Sequence, residues 1–157
     1  MTDQDQTIRE KLDISPEEFL EMGRVGAMYY QQGNFDKART IFEGLVELDP
    51  QSANAHSALG ALLTLQQEDK RAVEHLQRAV ELNPSQIAPY VNLGEIFIRQ
   101  EKIEDAVKNL KKAIELDPDE KDSGANRARA MVLGIYQIIQ SDNQNSEEIK
   151  LATEKVS

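Results

Sequence analysis

The chain contains no cysteine and no tryptophan, and aromatic residues make up only 5% of it. Without cysteine it can form no disulfide, no thiolate zinc site and no cysteine nucleophile. That composition suits a reducing compartment, and a cytoplasmic location is expected. Long hydrophobic runs are missing too. The most apolar stretches, "ALGALLTL" (58–65) and "MVLGIYQII" (131–139), fall well short of the ~20 residues that span a bilayer. The opening "MTDQDQTIRE" is polar and acidic, unlike the basic flank and apolar core of a secretory signal. No membrane insertion is expected. Positive charge is scarce: 18 Lys and Arg stand against 28 Asp and Glu, for a net charge of −10. Such a balance repels nucleic-acid phosphate and anionic lipid. Basic residues such as Lys111 and Lys112 are interleaved with acids, as on a solvated helix face. Nucleic acid is therefore not an expected partner.

Signs of catalytic chemistry are equally thin. No HExxH, GxxxxGK[ST] or GxSxG motif occurs. The only histidines are His56 and His75. An enzyme needs a shaped pocket with a tuned acid and base, and the sequence points to none. No catalytic residue, metal ligand or cofactor is assigned, and the chain is expected not to be an enzyme.

What the 157 residues do contain is repetition. "LVELDPQ", "AVELNPS" and "AIELDPD" occur at 45–51, 79–85 and 113–119, placing Pro50, Pro84 and Pro118 34 residues apart. A fixed period of this size signals stacked supersecondary units within one domain. Three blocks follow, 19–52, 53–86 and 87–120. Gly26, Gly60 and Gly94 share position 8 of their blocks, and Ala38, Ala72 and Ala106 share position 20. Large residues recur at position 7 (Val25, Leu59, Leu93), position 11 (Tyr29, Leu63, Phe97) and position 24 (Phe42, Leu76, Leu110). Small residues let two helices cross closely, and the large ones fill the space beside the crossing.

Each block thus predicts two helices, in the first block about Phe19–Gln32 and Asp36–Leu48. "GNFD" (33–36) breaks the pair, since Gly33 can take the left-handed conformation that ends a helix. "QEDK" and "EKIE" stand at that place in the later blocks, where the turn signal is weaker. Ser15-Pro16-Glu17-Glu18 predicts a capping box with proline in the first turn. The proline of each repeated phrase closes its unit by disfavouring helix in the residue before it.

These residues resemble the tetratricopeptide repeat (TPR) family over three consecutive repeats. The resemblance implies an all-α, right-handed solenoid of helix–turn–helix repeats. It also implies that His56, where the family buries an aromatic residue, is a packed ring, with His75 partly exposed beside it. The repeat domain is assigned to residues 15–140, after a polar, flexible segment 1–14 in which Ile8 and Leu12 hint at a short helix. A helical stack needs caps. Ala125, Ala128, Val132, Ile135 and Ile139 form one apolar stripe, widened by Met131 and Ile138, so residues 122–140 read as a capping helix with Arg127 and Arg129 off that stripe. "SDNQNS" (141–146) reads as a polar linker. The tail to residue 157, with its ladder Ile149, Ala152 and Val156, reads as a short helix or a disordered end.

In the family a concave groove lined by the first helices binds a peptide or protein segment. The groove positions carry over to Leu20, Gly23, Ala27 and Tyr30 in the first repeat, Asn54, Ser57, Ala61 and Thr64 in the second, and Ala88, Val91, Glu95 and Ile98 in the third. The set is small and mostly neutral, open to a peptide backbone. Packing of some of these positions against the terminal segments is the other reading. The two-carboxylate clamp of members that hold heat-shock chaperone tails is absent, because Gly23, Ala27, Ala58, Ala88 and Asn92 stand at its places. The resemblance implies an adaptor or scaffold with a protein partner. Its architecture is also similar to that of bacterial type III secretion translocator chaperones, which hold a hydrophobic client in the groove. A third reading is self-assembly into a homo-oligomer through repeat edges or the tail 147–157.

Overall fold

The computed structural model describes residues 6–154, with 144–154 described as helix backbone only. All regular structure among them is helical: α1 (Ile8–Lys11), α2 (Pro16–Gln31), α3 (Phe35–Leu48), α4 (Ala53–Leu65), α5 (Asp69–Leu82), α6 (Ile87–Arg99), α7 (Ile103–Glu115) and α8 (Ser123–Glu154). The pairs α2–α3, α4–α5 and α6–α7 form hairpins that stack as a helical solenoid, and α8 packs on the last of them. The repeating glycines set the hairpin geometry. A Cβ at Gly60 would lie 2.6 Å from Leu76 Cδ2, one at Gly94 2.5 Å from Leu110 Cδ2, and one at Gly26 2.5 Å from Phe42 Cε1. Each glycine therefore makes room for the large residue of its partner helix. Ala38, Ala72 and Ala106 are fully buried at the same crossings.

The helix ends follow local chemistry. Ser15 and Glu18 form the expected capping box ahead of α2. Each hairpin turn is closed by a backbone bond back to the residue that opens the helix end, from Asn34 N to Tyr29 O, Glu68 N to Leu63 O and Lys102 N to Phe97 O. The residue before each of these donors has positive φ: Gly33 at 74°, Gln67 at 60° and Glu101 at 59°. The turns of the second and third repeats thus match the first despite lacking glycine, at a steric cost of roughly 1 kcal/mol per residue. Gln67→Gly is accordingly expected to raise stability by about 0.5–1 kcal/mol, after the added freedom of the unfolded chain is subtracted. Chemical denaturation would detect it. The repeated phrase ends in an Asx turn, with Asp49 Oδ1 accepting from Gln51 N at 3.0 Å and Asn83 Oδ1 from Ser85 N at 3.1 Å.

The third junction departs from this pattern. Asp117 is buried and accepts from the backbone N–H groups of Lys121 (3.0 Å) and Asp122 (3.1 Å) and from Arg129 Nη1 (3.0 Å), while Arg129 also donates to the Asp117 carbonyl. Burial alone would raise the Asp117 pKa, but these donors outweigh it and hold the carboxyl below its usual range. Arg129, off the apolar stripe as expected, is therefore what fastens α8 to the end of α7. The stripe itself is buried at Ala125, Ala128 and Ile135. Ile138 and Ile139 are exposed, contrary to their expected part in the stripe. The reason is length: α7 has 13 residues, about 20 Å, and α8 outruns it.

Two further segments differ from expectation. The polar run 141–146 continues α8 unbroken, since it holds no glycine or proline and its residues disfavour helix only weakly. The segment expected to be flexible ahead of residue 15 contains the helical turn α1, closed by a Thr7–Glu10 capping box. Its Arg9 guanidinium lies 5.3 Å from the centre of the Phe19 ring and 3.5 Å from Asp49 Oδ2. Residues 1–5 and 155–157, and the side chains of the ladder Ile149, Ala152 and Val156, lie outside the described residues.

Candidate functional site

The first helices α2, α4 and α6 lie side by side along one surface of the stack. Successive first helices are not equally close. α4 packs along α6, and α6 along α8, whereas α2 touches α4 sparingly. The gap is a cleft of about 540 Å³. Phe19, Leu20, Gly23 and Ala27 of α2 form one wall, Ala55 and Ala58 of α4 the other, and Phe42 and Leu45 of α3 the floor. Polar groups sit at the rim: Arg9, Arg24, Asp49, Ser52 and Asn54. Gly23 keeps the floor open, because Leu45 is the nearest atom to a Cβ placed there, at 3.8 Å. Asn54 Oδ1 accepts from Gln86 Nε2, which leaves the Asn54 amide N–H groups to offer a carbonyl. The cleft is an apolar slot with a few hydrogen-bonding and cationic groups at its edge, the usual make-up of a recognition pocket.

The groove positions carried over from the resemblance separate into distinct environments. Leu20, Gly23, Ala27 and Asn54 line the cleft together. Tyr30 is half-buried, edge-on to Phe35 with ring centres 5.8 Å apart. Ser57 and Ala61 are half-buried on α4, and Ala88 is exposed on α6. Two positions are not accessible. Thr64 is 4% exposed, its hydroxyl donating to the Gly60 carbonyl at 2.7 Å, and Val91 is 1% exposed beneath α8 with Leu110, Ala113, Ala128 and Ile135. In the third repeat the capping helix occupies the groove side of α6. Glu95 pairs across it with Arg127 (3.2 Å) as well as with Arg99 on its own helix (3.4 Å), and Ile98 is half-buried in the same cluster. Of the cleft residues that sequence reasoning did not assign, Ala58 adjoins an assigned position in the repeat. Arg9 carries no such signal, since it reaches the cleft only through the docking of α1.

The two histidines form a separate polar contact. His56 Nε2 lies 3.0 Å from the Pro50 carbonyl, and His56 Nδ1 lies 3.0 Å from His75 Nδ1. A carbonyl only accepts, so His56 carries its proton on Nε2, and its Nδ1 accepts from a His75 protonated on Nδ1. Burial depresses both pKa values. For His56 it outweighs the Pro50 bond, with Arg78 adding to it and Asp49 opposing; for His75, His56 and Arg71 add to it and Glu74 and Glu43 oppose. The folded chain thus binds protons less readily than the unfolded one, whose histidines titrate near 6.5. This stability is fully present above that value and is lost as pH falls through it toward the depressed folded values. The thermal midpoint is expected to fall between about pH 7 and 5, and His75→Phe should flatten that slope in melts across the range.

TPR family models match residues 28–87 and 88–120. The chain belongs to the tetratricopeptide repeat family. Among solved structures, the type III secretion translocator chaperone SycD of Yersinia enterocolitica superposes with a TM-score of 0.73 at 18% identity, over 82% of this TPR chain and 98% of that one. PcrH in complex with the chaperone binding region of PopB gives 0.67 at 22% identity, over 75% and 97%. The first TPR of Spaghetti bound to an HSP90 peptide gives 0.66 at 22% identity, over 78% and 97%. At these identities the likeness is one of fold. No curated protein sequence matches the chain.

Proposed function

We propose that this TPR protein is a non-enzymatic adaptor that holds a segment of a partner protein in the cleft between α2 and α4. The observation that carries the reading is the cleft itself: an apolar slot about 540 Å³ in volume, on the side where Leu20, Gly23 and Ala27 come together. A large aliphatic side chain of the partner fits its floor, and the Asn54 amide can bond the partner's backbone. Arg9 and Arg24 place positive charge at the rim of an otherwise acidic chain, which favours an acidic residue beside the anchor. Acidic heat-shock tails of the kind bound by Spaghetti are not the proposed ligand, because Gly23, Ala27, Ala58, Ala88 and Asn92 supply no cation for their carboxylates. The site of action is proposed to be cytoplasmic.

A random-peptide display library panned on the wild-type chain should enrich sequences with a large aliphatic residue. Leu20→Glu combined with Ala27→Arg should keep the helical circular dichroism and lose that binding at least tenfold, about 1.4 kcal/mol. A folded double variant that binds unchanged would place the site elsewhere. Val91 is not a useful position for this test, since a charge there would disturb α8 instead of the cleft.

A narrower second reading is favoured by the likeness to SycD and to PcrH, the latter bound to a client's chaperone binding region. In it the partner is a hydrophobic secretion client encoded nearby. Co-expression should then yield a soluble pair, and a genomic neighbourhood without secretion genes would end this reading.

A further inference from the structure

The first repeat of a stack has no repeat before it, and its outer surface is ordinarily polar. Here it is not. The relevant positions are the third, seventh and tenth of each repeat, which face the second helix of the preceding one. In the second and third repeats these are Ala55, Leu59 and Leu62, then Pro89, Leu93 and Ile96, and none is more than 3% exposed. In the first repeat they are Glu21, Val25 and Met28. Val25 is 36% exposed, Met28 45%, and Met22 beside them 37%. At 100° per residue these side chains lie on the side of α2 opposite Leu20, Gly23 and Ala27, so the patch and the cleft are separate surfaces.

We propose that this face binds the same face of a second copy, two α2 helices meeting antiparallel across a two-fold axis at Val25. The sequence of the face supports that occupant, because a two-fold interface must complement itself. Met22 and Met28 lie three residues either side of Val25, so each meets the other in the partner copy. Methionines adapt well to such a contact. The same operation brings Glu21 to Tyr29 of the second copy. Lys37 stands over that ring, 5.0 Å from its centre, and makes no ion pair among the described residues, so it can receive the Glu21 carboxylate. Glu18 meets the neutral Gln32. A parallel pairing would instead set Glu18 and Glu21 against their own copies and repel.

The absence of native cysteine makes the test direct. Light scattering on the full chain should give twice the 17.7 kDa chain mass, and Val25→Glu should return it to the single mass with its helical signal intact. Val25→Cys, lying on the axis, should cross-link to itself under mild oxidation, whereas Glu47→Cys should not. A wild-type chain that stays monomeric at high concentration overturns the proposal. So does a dimer that survives Val25→Glu, or one lost on deleting residues 144–157, which would assign the contact to the tail. A chain that dimerises only after residues 1–5 are removed would make those residues the occupant and overturn it equally. Failure of this interface would leave the cleft reading untouched, and the reverse also holds.

Discussion

Gly60→Val is expected to be among the most damaging single substitutions in this protein, lowering stability by about 3 kcal/mol or more. A glycine in the interior of a helix usually costs stability, and replacing it with alanine gains about 1 kcal/mol. At Gly60 the sign reverses. A Cβ would stand 2.6 Å from Leu76 Cδ2 and 2.7 Å from Leu76 Cγ. Leu76 is fully buried and cannot retreat without moving α5. Valine adds two methyl groups to that clash. Gly44→Ala is the matched control, since nothing lies within 4 Å of a Cβ there, and it should stabilise by about 0.5–1 kcal/mol. Urea unfolding of both variants checks the pair. Combining Gly60→Ala with Leu76→Ala should cost less than the sum of the two, because each relieves the other's misfit.

Leu110→Ala is expected to cost about 2–5 kcal/mol, as fully buried leucines do. Leu110 sits against Gly94 of α6 and belongs to the cluster that includes Ala128 and Ile135 of α8. The loss should therefore spread unevenly. Hydrogen exchange in α8 should quicken more than in α4, whose core cluster does not include Leu110. Equal acceleration in both helices would show that the stack unfolds as one unit.

The protein's one-dimensional architecture was legible before any coordinates. The 34-residue recurrence of Gly60, Leu76 and Pro84 and their counterparts identifies the hairpins, their close crossings and their ends. These are local properties: helix periodicity, small residues at crossings, proline at a boundary. Even the capping box at Ser15 can be read residue by residue. The candidate site was legible in part. Leu20, Gly23, Ala27 and Asn54 could be assigned by repeat position, but repeat position treated Val91 and Thr64 as equally open.

The tertiary structure decided the rest. It closed α8 over Val91, through an Asp117–Arg129 clasp that needs two residues 12 apart to meet. It brought Arg9 to Asp49 and Phe19, and so made the rim of the cleft. It also left Val25 and Met28 uncovered, although their counterparts Leu59 and Leu62 are buried. The physical reason is common to all three. A repeat encodes what each unit offers to a neighbour, while exposure depends on whether a neighbour is there, and at the two ends of a stack only the folded chain answers that.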